Sequence, residues 1–286
     1  MADTVGQRVH RYLLDGSDED LKRLLAVSER MSVPTRAALC RSGIQAGWAV
    51  IDCGCGPLGG LLDLAELAGP AGRVVGVDAS LPAVERARLA VAAVGLGNVE
   101  VVAGDVNDLA ADAVGGPFDL AFTRLFLLHQ PDPVHTLRQI ASLLRPGGWI
   151  VAQEPLGSPA PRSFPHLPAL DAFWELMFRL AEGLGAAAQG VEQLPGSAAA
   201  AGLQVVRMDG SFLVGDPGQV FALHAGALAA ARERATAAGL VTGEELDGLV
   251  SDLRAAGNGG YQWVTGPFFL ELTLRRPGGN GEAVDS

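Results

Sequence analysis

Residues 48–60 read Trp48-Ala49-Val50-Ile51-Asp52-Cys53-Gly54-Cys55-Gly56-Pro57-Leu58-Gly59-Gly60. A short apolar run ends in a carboxylate and passes straight into a glycine-rich turn. The run predicts a buried strand, and the glycines predict a loop whose bare backbone comes close to a ligand. Leu61, Leu62, Leu64 and Ala65 then predict a helix that stops at Gly69-Pro70.

Outward from this turn the alternation repeats. Val74 to Val77 predicts a second strand ending at Asp78, and Ser80 caps a helix with an apolar face of Val84, Ala87, Val91 and Val94. Val99 to Ala103 predicts a third strand, ending in Gly104-Asp105, and Phe118 to Thr123 a fourth. Asp132-Pro133 opens a helix running to Leu144; Arg145-Pro146-Gly147-Gly148 then turns into a fifth strand, Trp149 to Glu154. Continuous apolar strands separated by helices indicate a parallel sheet covered on both faces, and right-handed crossovers make it doubly wound. Before this region, helices are expected at 5–14, 18–30 and 35–42. After it come a proline-rich stretch and a helix with the apolar face Leu170, Phe173, Trp174, Met177, Phe178 and Ala181. Strands at 203–214 and 263–274 flank helical patterns at 217–238 and 242–256.

Composition narrows the function. The net charge is −11, and Lys22 is the only lysine. Phosphate binding rests on clustered Lys and Arg, so no nucleic-acid partner is expected. No apolar run approaches the ~20 residues of a membrane span, and Met1 to Arg11 lacks a signal-peptide core, so no membrane and a cytoplasmic location are expected. Cys40, Cys53 and Cys55 are an odd number without a completing Cys/His cluster, which implies neither a disulfide framework nor a metal site.

In an open parallel sheet, ligands bind beyond the carboxyl ends of the strands. Asp52, Asp78, Asp105, Thr123, Arg124 and Glu154 collect there. Gly54-Cys55-Gly56-Pro57-Leu58-Gly59 matches GxGxxG, with Asp78 some way downstream, which is the dinucleotide fingerprint. An NAD(P)-dependent oxidoreductase is therefore one reading. Asp52 opposes it, because a carboxylate beside a pyrophosphate is repelled and one beside an ammonium is attracted. Asp105, the Arg145–Gly148 turn and the late strand pair are also left without a purpose by that reading.

Five stretches carry a resemblance: VIDCGCGPLGG (50–60), VVGVDAS (74–80), AGDVNDL (103–109), FDLAFTRLFLLHQPDP (118–133) and LLRPGGWIVAQEP (143–155). Together they resemble class I S-adenosylmethionine-dependent methyltransferases, in particular the methyltransferase-domain family related to ubiquinone-biosynthesis enzymes. Leu58 departs from the family's third alternating glycine, although Gly59 follows it.

The resemblance implies a Rossmann-like, seven-stranded, doubly wound α/β sheet with an antiparallel last strand, plus N-terminal helices and a helical lid. The expected organisation is a helical cap (1–34), a cofactor-binding core (35–158), a lid insertion (159–200), and completion of the sheet (201–276) with a helical insertion at 217–256. A disordered tail is expected at 277–286. The implied cofactor is S-adenosyl-L-methionine, with S-adenosyl-L-homocysteine as product. Asp78, with Ala79 beside it, would hold the ribose hydroxyls, Asp105 the adenine amino group and the Val106 amide a ring nitrogen. Gly54 and Gly56 would admit the methionine portion, which Asp52 would orient and under which Thr123 and Arg124 would lie.

His129 and Glu154 are the candidate acid–base residues, with His166 and His224 behind them. Tyr12, Phe173, Trp174 and Met177 are candidates for an apolar acceptor pocket. The expected reaction is methyl transfer to a small, moderately hydrophobic metabolite, such as a specialised metabolite. A non-catalytic or repurposed S-adenosylmethionine-binding protein is the alternative. Oligomeric state is not legible in the sequence.

Overall fold

The computed structural model describes residues 18–156, 161–183 and 191–278. These fall into two compact units. One draws on 32–154, 192–209 and the chain from 270; the other draws on the chain up to 31, 155–191 and 210–269.

The first unit is built on five parallel strands: β1 (Ala49–Cys53), β2 (Arg73–Asp78), β3 (Val99–Ala103), β4 (Phe118–Arg124) and β5 (Leu144–Leu156). They lie in the order β3-β2-β1-β4-β5. Ile51 pairs with Val75 on one side and Ala121 on the other, and both neighbours run parallel to β1. Val50, Ile51, Val74, Val75, Leu120, Phe122 and Val151 are almost wholly buried, which is why these strands are continuously apolar. The chain leaves β1 in one direction along the sheet and returns to β4 on the other side. The gap between the carboxyl ends of β1 and β4 is therefore the switch point where such sheets bind ligands.

Helices α1 (Asp18–Arg41), α2 (Leu61–Ala68), α3 (Leu81–Ala93) and α4 (Pro133–Ser142) precede or connect the strands. The Ser80 hydroxyl accepts from the Ala83 amide to start α3, and the Asp132 carboxylate accepts from the His135 amide to start α4. Helix α1 differs from the sequence expectation. The sequence predicts two helices, at 18–30 and 35–42, yet one helix runs through Pro34. An interior proline costs about 3 kcal/mol. Burial of Met31, Thr35, Ala38 and Leu39 opposes that cost and keeps the helical period across it.

The Arg145–Gly148 turn also takes an unexpected form. Phe118 pairs with Leu144 and Leu120 with Trp149, so these four residues bulge out of β5 opposite one residue of β4. The bulge is held by the Gly147 amide donating to Arg276 O at 3.0 Å and the Arg276 amide donating to Gly148 O at 2.9 Å. Beside β5 lies the end of β8 (Trp263–Arg275), which β7 (Gln204–Gly215) pairs, and the sheet is antiparallel at this edge. A short helix, α6 (Leu194–Ala200), belongs to this unit, and Arg138 of α4 donates to Ala200 O.

The second unit is mainly helical. Helices α5 (Pro168–Gly183), α7 (Pro217–Ala237) and α8 (Gly243–Gly257) enclose a core that includes Leu170, Phe173, Leu180, Phe221, Leu228 and Leu253. A capping box between Thr242 and Glu245 starts α8. Ser163 and Phe164 form strand β6, antiparallel to Val264 and Trp263. It brings the described strands to eight, where the resemblance implies seven. Two residues in a proline-rich stretch carry no alternation from which a strand can be read.

Candidate functional site

Register decides which side chains meet at the switch point. Asp52 pairs with Gly76, Asp78 with Ala103 and Arg124 with Gln153, so the strand-end residues share one edge of the sheet.

Asp52 is almost completely buried, with one carboxylate oxygen accepting the Gly60 amide at 2.8 Å. Gly60 is the N-cap of α2, so this hydrogen bond ties the start of the helix to the end of β1. Burial pushes the Asp52 carboxyl up to about 7, and the nearby charge of Asp78 adds to the rise. The Gly60 amide and the Arg124 guanidinium oppose it.

The loop between Asp52 and α2 demands glycine. Gly59 has a φ of +50°, and a Cβ on it would stand 2.7 Å from an Asp52 carboxylate oxygen. Gly54 has a φ of +75°, and a Cβ there would stand 2.8 Å from Phe126 Cγ. At Gly56, by contrast, a Cβ would meet nothing within 4 Å. The side chain of Leu58 replaces a glycine of the expected pattern, and the adjoining Gly59 supplies the positive φ instead.

Asp78 is half-buried. One of its oxygens accepts the Gly56 amide at 2.8 Å and the other the Ser80 amide at 2.8 Å, while burial raises its pKa. Ala79, beside it, is exposed. Asp105 accepts the Asn107 amide at 2.9 Å and the Asn107 side chain at 3.0 Å. Val106 begins the short 3-10 turn that follows and is buried. Asn107 also donates to Gln130 at 3.1 Å and accepts from the Thr136 hydroxyl at 2.8 Å. The Asp105 turn is thus tied to the segment after β4. Sequence reasoning misses Asn107, Gln130 and Thr136; the Asp-x-Asn spacing of an Asx-type turn is the available signal.

Thr123 is fully buried and 3.5 Å from a Glu154 oxygen. Arg124 turns its side chain inward, donating to Gly59 O at 2.9 Å and to the Thr35 hydroxyl at 3.1 Å. Thr35 in turn donates to the Gln153 side-chain oxygen at 2.6 Å. The Gln153 amide nitrogen is buried without a hydrogen-bond partner among the described residues.

Glu154 is wholly buried, and burial pushes its carboxyl up to about 7. Its oxygens accept the amides of Phe126 at 3.0 Å, Leu127 at 2.8 Å and Leu128 at 3.4 Å. These residues start the 3-10 turn Leu127–His129, which carries His129, and they follow Leu125 with its positive φ of 54°. Three amides aimed at one carboxylate hold the backbone of that turn. Glu154 therefore ties the end of β5 to the turn that carries His129.

Phe173 and Met177 are buried in the helical unit, and Trp174 packs against the same core. His224 is buried there too, with its ring 4.5 Å from Phe173 and 5.5 Å from Trp174, centroid to centroid. Its Nδ1 lies 2.6 Å from Val220 O, so Nδ1 carries the proton. Burial pushes its pKa down to about 4. The Trp174 indole nitrogen is buried and unpartnered among the described residues. His166 is exposed and pairs with Asp171 at 2.7 Å. Tyr12 lies outside the described residues.

Burial raises the thiol pKa of Cys53 and Cys55, keeping both neutral. Among the described residues no group of three His, Cys, Asp or Glu could hold a metal ion, and no helix is long and apolar enough to cross a membrane.

Residues 44–185 match the family described as methyltransferase domain. The chain is 32% identical over 139 residues to demethylmenaquinone methyltransferase of Lactococcus lactis, covering 49% of this chain and 52% of that protein. It is 40% identical over 118 residues to ubiquinone biosynthesis O-methyltransferase of Thiobacillus denitrificans, covering 41% of this chain and 46% of that protein. The matched stretch thus spans about half the length of these curated relatives. Among solved structures, a Haemonchus contortus N-methyltransferase in complex with S-adenosylhomocysteine superposes with a TM-score of 0.52 at 19% identity, over 84% of this chain and 52% of that one. At that identity the likeness is one of fold.

Proposed function

This chain carries a methyltransferase domain over residues 44–185, and from that premise we propose that it is an S-adenosylmethionine-dependent methyltransferase acting on a small acceptor. The observation that carries the reading is the pair of carboxylates Asp52 and Asp78 bonded to the glycine loop at the switch point of a parallel sheet, with Asp105 at the end of β3 beside β2. A dinucleotide's pyrophosphate would be repelled by Asp52. A cofactor with an ammonium, a ribose diol and an adenine amino group offers each carboxylate a donor.

The residues present fit that group. Each Asp78 oxygen receives one backbone amide. A carboxylate has about four acceptor sites, so capacity is left for both ribose hydroxyls. The open space at Gly56 leaves room for a ligand against the backbone. Asp52 orients the methionine ammonium, and Asp105 and the Val106 amide recognise the adenine.

The bound cofactor supplies an activated methyl group on a sulfonium. The chain's own work is then placement, and proximity with orientation contributes ~7–11 kcal/mol in favourable cases. Glu154 fixes the turn that presents His129, and His129 is the side chain on that turn able to take a proton from an acceptor that must lose one. The acceptor class that goes with this reading is a moderately hydrophobic metabolite of the specialised kind. The net charge of −11 supports a small molecule over nucleic acid.

Titration calorimetry with S-adenosylhomocysteine, and NADH as the parallel ligand, tests the cofactor. Binding of the first alone supports the reading, and binding of NADH alone overturns it. Transfer of labelled methyl from S-adenosylmethionine to a panel of phenols, amines and carbon acids then tests the reaction. Tight cofactor binding with no acceptor methylated across a broad panel would favour a repurposed binding protein.

A further inference from the structure

Arg124 is the last residue of β4, which is apolar from Leu120 to Phe122, and only a small part of the residue is exposed. A buried guanidinium is expensive unless its donors and charge are answered. Here they are answered by the cofactor loop itself. One nitrogen donates to Gly59 O at 2.9 Å, in the turn where Gly59 already sits against Asp52. Another donates to the Thr35 hydroxyl at 3.1 Å, which passes on a hydrogen bond to Gln153. We infer that Arg124 is a positioning residue for the cofactor: it clamps the glycine loop through Gly59 and supplies the countercharge that keeps Asp52 ionised for the cofactor's ammonium. This deepens the proposed function and rests on it.

The surroundings of Asp52 make the countercharge matter. From β2 the Asp78 carboxylate opposes ionisation of Asp52, and from α2 only the uncharged Gly60 amide supports it. The Cys53 and Cys55 thiols next to it are neutral. Arg124 is the cation among these neighbours; burial lowers its own pKa, and the charges of Asp52 and of Asp63 in α2 oppose that fall. Asp63 in turn accepts from Ser32 at 2.8 Å and from Arg36 at 3.4 Å, so its charge is shared with α1. With Asp52 near 7, a modest loss of positive potential is enough to protonate it at neutral pH.

The test is calorimetric affinity for S-adenosylhomocysteine between pH 6 and 8.5 for the wild type, Arg124→Gln, Arg124→Lys and Thr35→Val, each checked for folding by circular dichroism. The clamp alone would weaken binding equally at every pH. The countercharge moves the pH profile, since a midpoint about one pH unit higher leaves about a tenth as much ionised carboxylate below it. Arg124→Gln is expected to lose about fivefold in affinity at pH 7 through the shifted midpoint, on top of any uniform loss from the clamp, and to recover most of that fivefold by pH 8.5. Arg124→Lys keeps the charge and is expected to restore the wild-type midpoint with a uniform loss. Thr35→Val loosens the guanidinium without removing it, and a small upward shift is expected, which keeps the inference testable should Arg124→Gln fail to fold. A wild-type midpoint in folded Arg124→Gln, or in Thr35→Val when Arg124→Gln is unfolded, overturns the inference. Failure of the wild type to bind at any pH overturns the cofactor reading and this inference with it.

Discussion

The Glu154 carboxylate accepts the Leu127 amide at 2.8 Å from within a fully buried site. That single relationship ties the end of β5 to the turn after β4. Both candidate acid–base residues, Glu154 and His129, thus belong to one hydrogen-bonded feature, the carboxylate and the turn it holds.

Replacing Glu154 by Gln keeps the shape and removes the titration. The Glu154 carboxyl moves from an ordinary 4.5 up to about 7 on folding, so the folded chain holds the proton more tightly than the unfolded one. The stability this group contributes is complete below 4.5 and is lost as pH rises through 7. The stability advantage of wild type over Glu154→Gln is therefore expected to be largest near pH 5 and to shrink toward pH 8, by no more than ~3 kcal/mol. Urea unfolding of both proteins across that range measures it. A gap that widens with pH would contradict the assignment.

At Gly54 two constraints coincide. The positive φ of 75° excludes a side chain on conformational grounds, and the Phe126 ring excludes it sterically. Gly54→Ala is expected to cost ~2–5 kcal/mol, the sum of a strained backbone and an overpacked contact. The double variant Gly54→Ala/Phe126→Ala should be less destabilised than the two single costs added together, because the collision is gone and only the φ strain remains. A thermodynamic cycle of the four proteins by urea unfolding checks this; strict additivity would mean that Phe126 and Gly54 do not meet.

Asp78 serves the fold and the ligand at once. Asp78→Asn keeps an oxygen for one amide and loses the charge that strengthens both bonds. Charge-assisted hydrogen bonds contribute ~1.5–3 kcal/mol each, so a loss of about 10- to 100-fold in S-adenosylhomocysteine affinity is expected from a protein that remains folded. Calorimetry beside a thermal melt separates the two effects. Unchanged affinity would remove Asp78 from the ribose site.

The strands are legible in the sequence because β1, β2 and β4 are short, apolar and bounded by glycine, proline or aspartate. Asp52, Asp78 and Asp105 are legible for the same reason, each standing where an apolar run ends. Contacts between residues distant in sequence are not. Thr35 and Gln153 lie 118 positions apart, and nothing local marks either as a partner of Arg124. Phe126 reads as one apolar residue in Leu125–Leu128, and only the fold reveals that its ring faces Gly54. Pro34 misleads in the opposite sense, because a local helix breaker is overridden by burial on either side of it.

The helical unit offers a contrast between two neighbouring aromatic residues. Phe173 is buried with its ring 5.1 Å from that of Trp174, centroid to centroid, and 4.5 Å from His224. Truncation to Ala removes a large apolar volume from a packed cluster and is expected to cost ~3–5 kcal/mol. Trp174 also packs on that cluster, but its indole N–H is buried without a hydrogen-bond partner among the described residues. Such an orphan donor carries a desolvation penalty of ~1–3 kcal/mol. Trp174→Phe loses some ring volume and removes that penalty, so its net effect is expected to fall within ~1 kcal/mol of wild type. Urea unfolding of both variants, with circular dichroism to follow the helices, measures the difference. If Trp174→Phe proved as damaging as Phe173→Ala, the indole N–H would have to be satisfied in the folded protein, and a bound molecule or water at that position would be the next thing to look for.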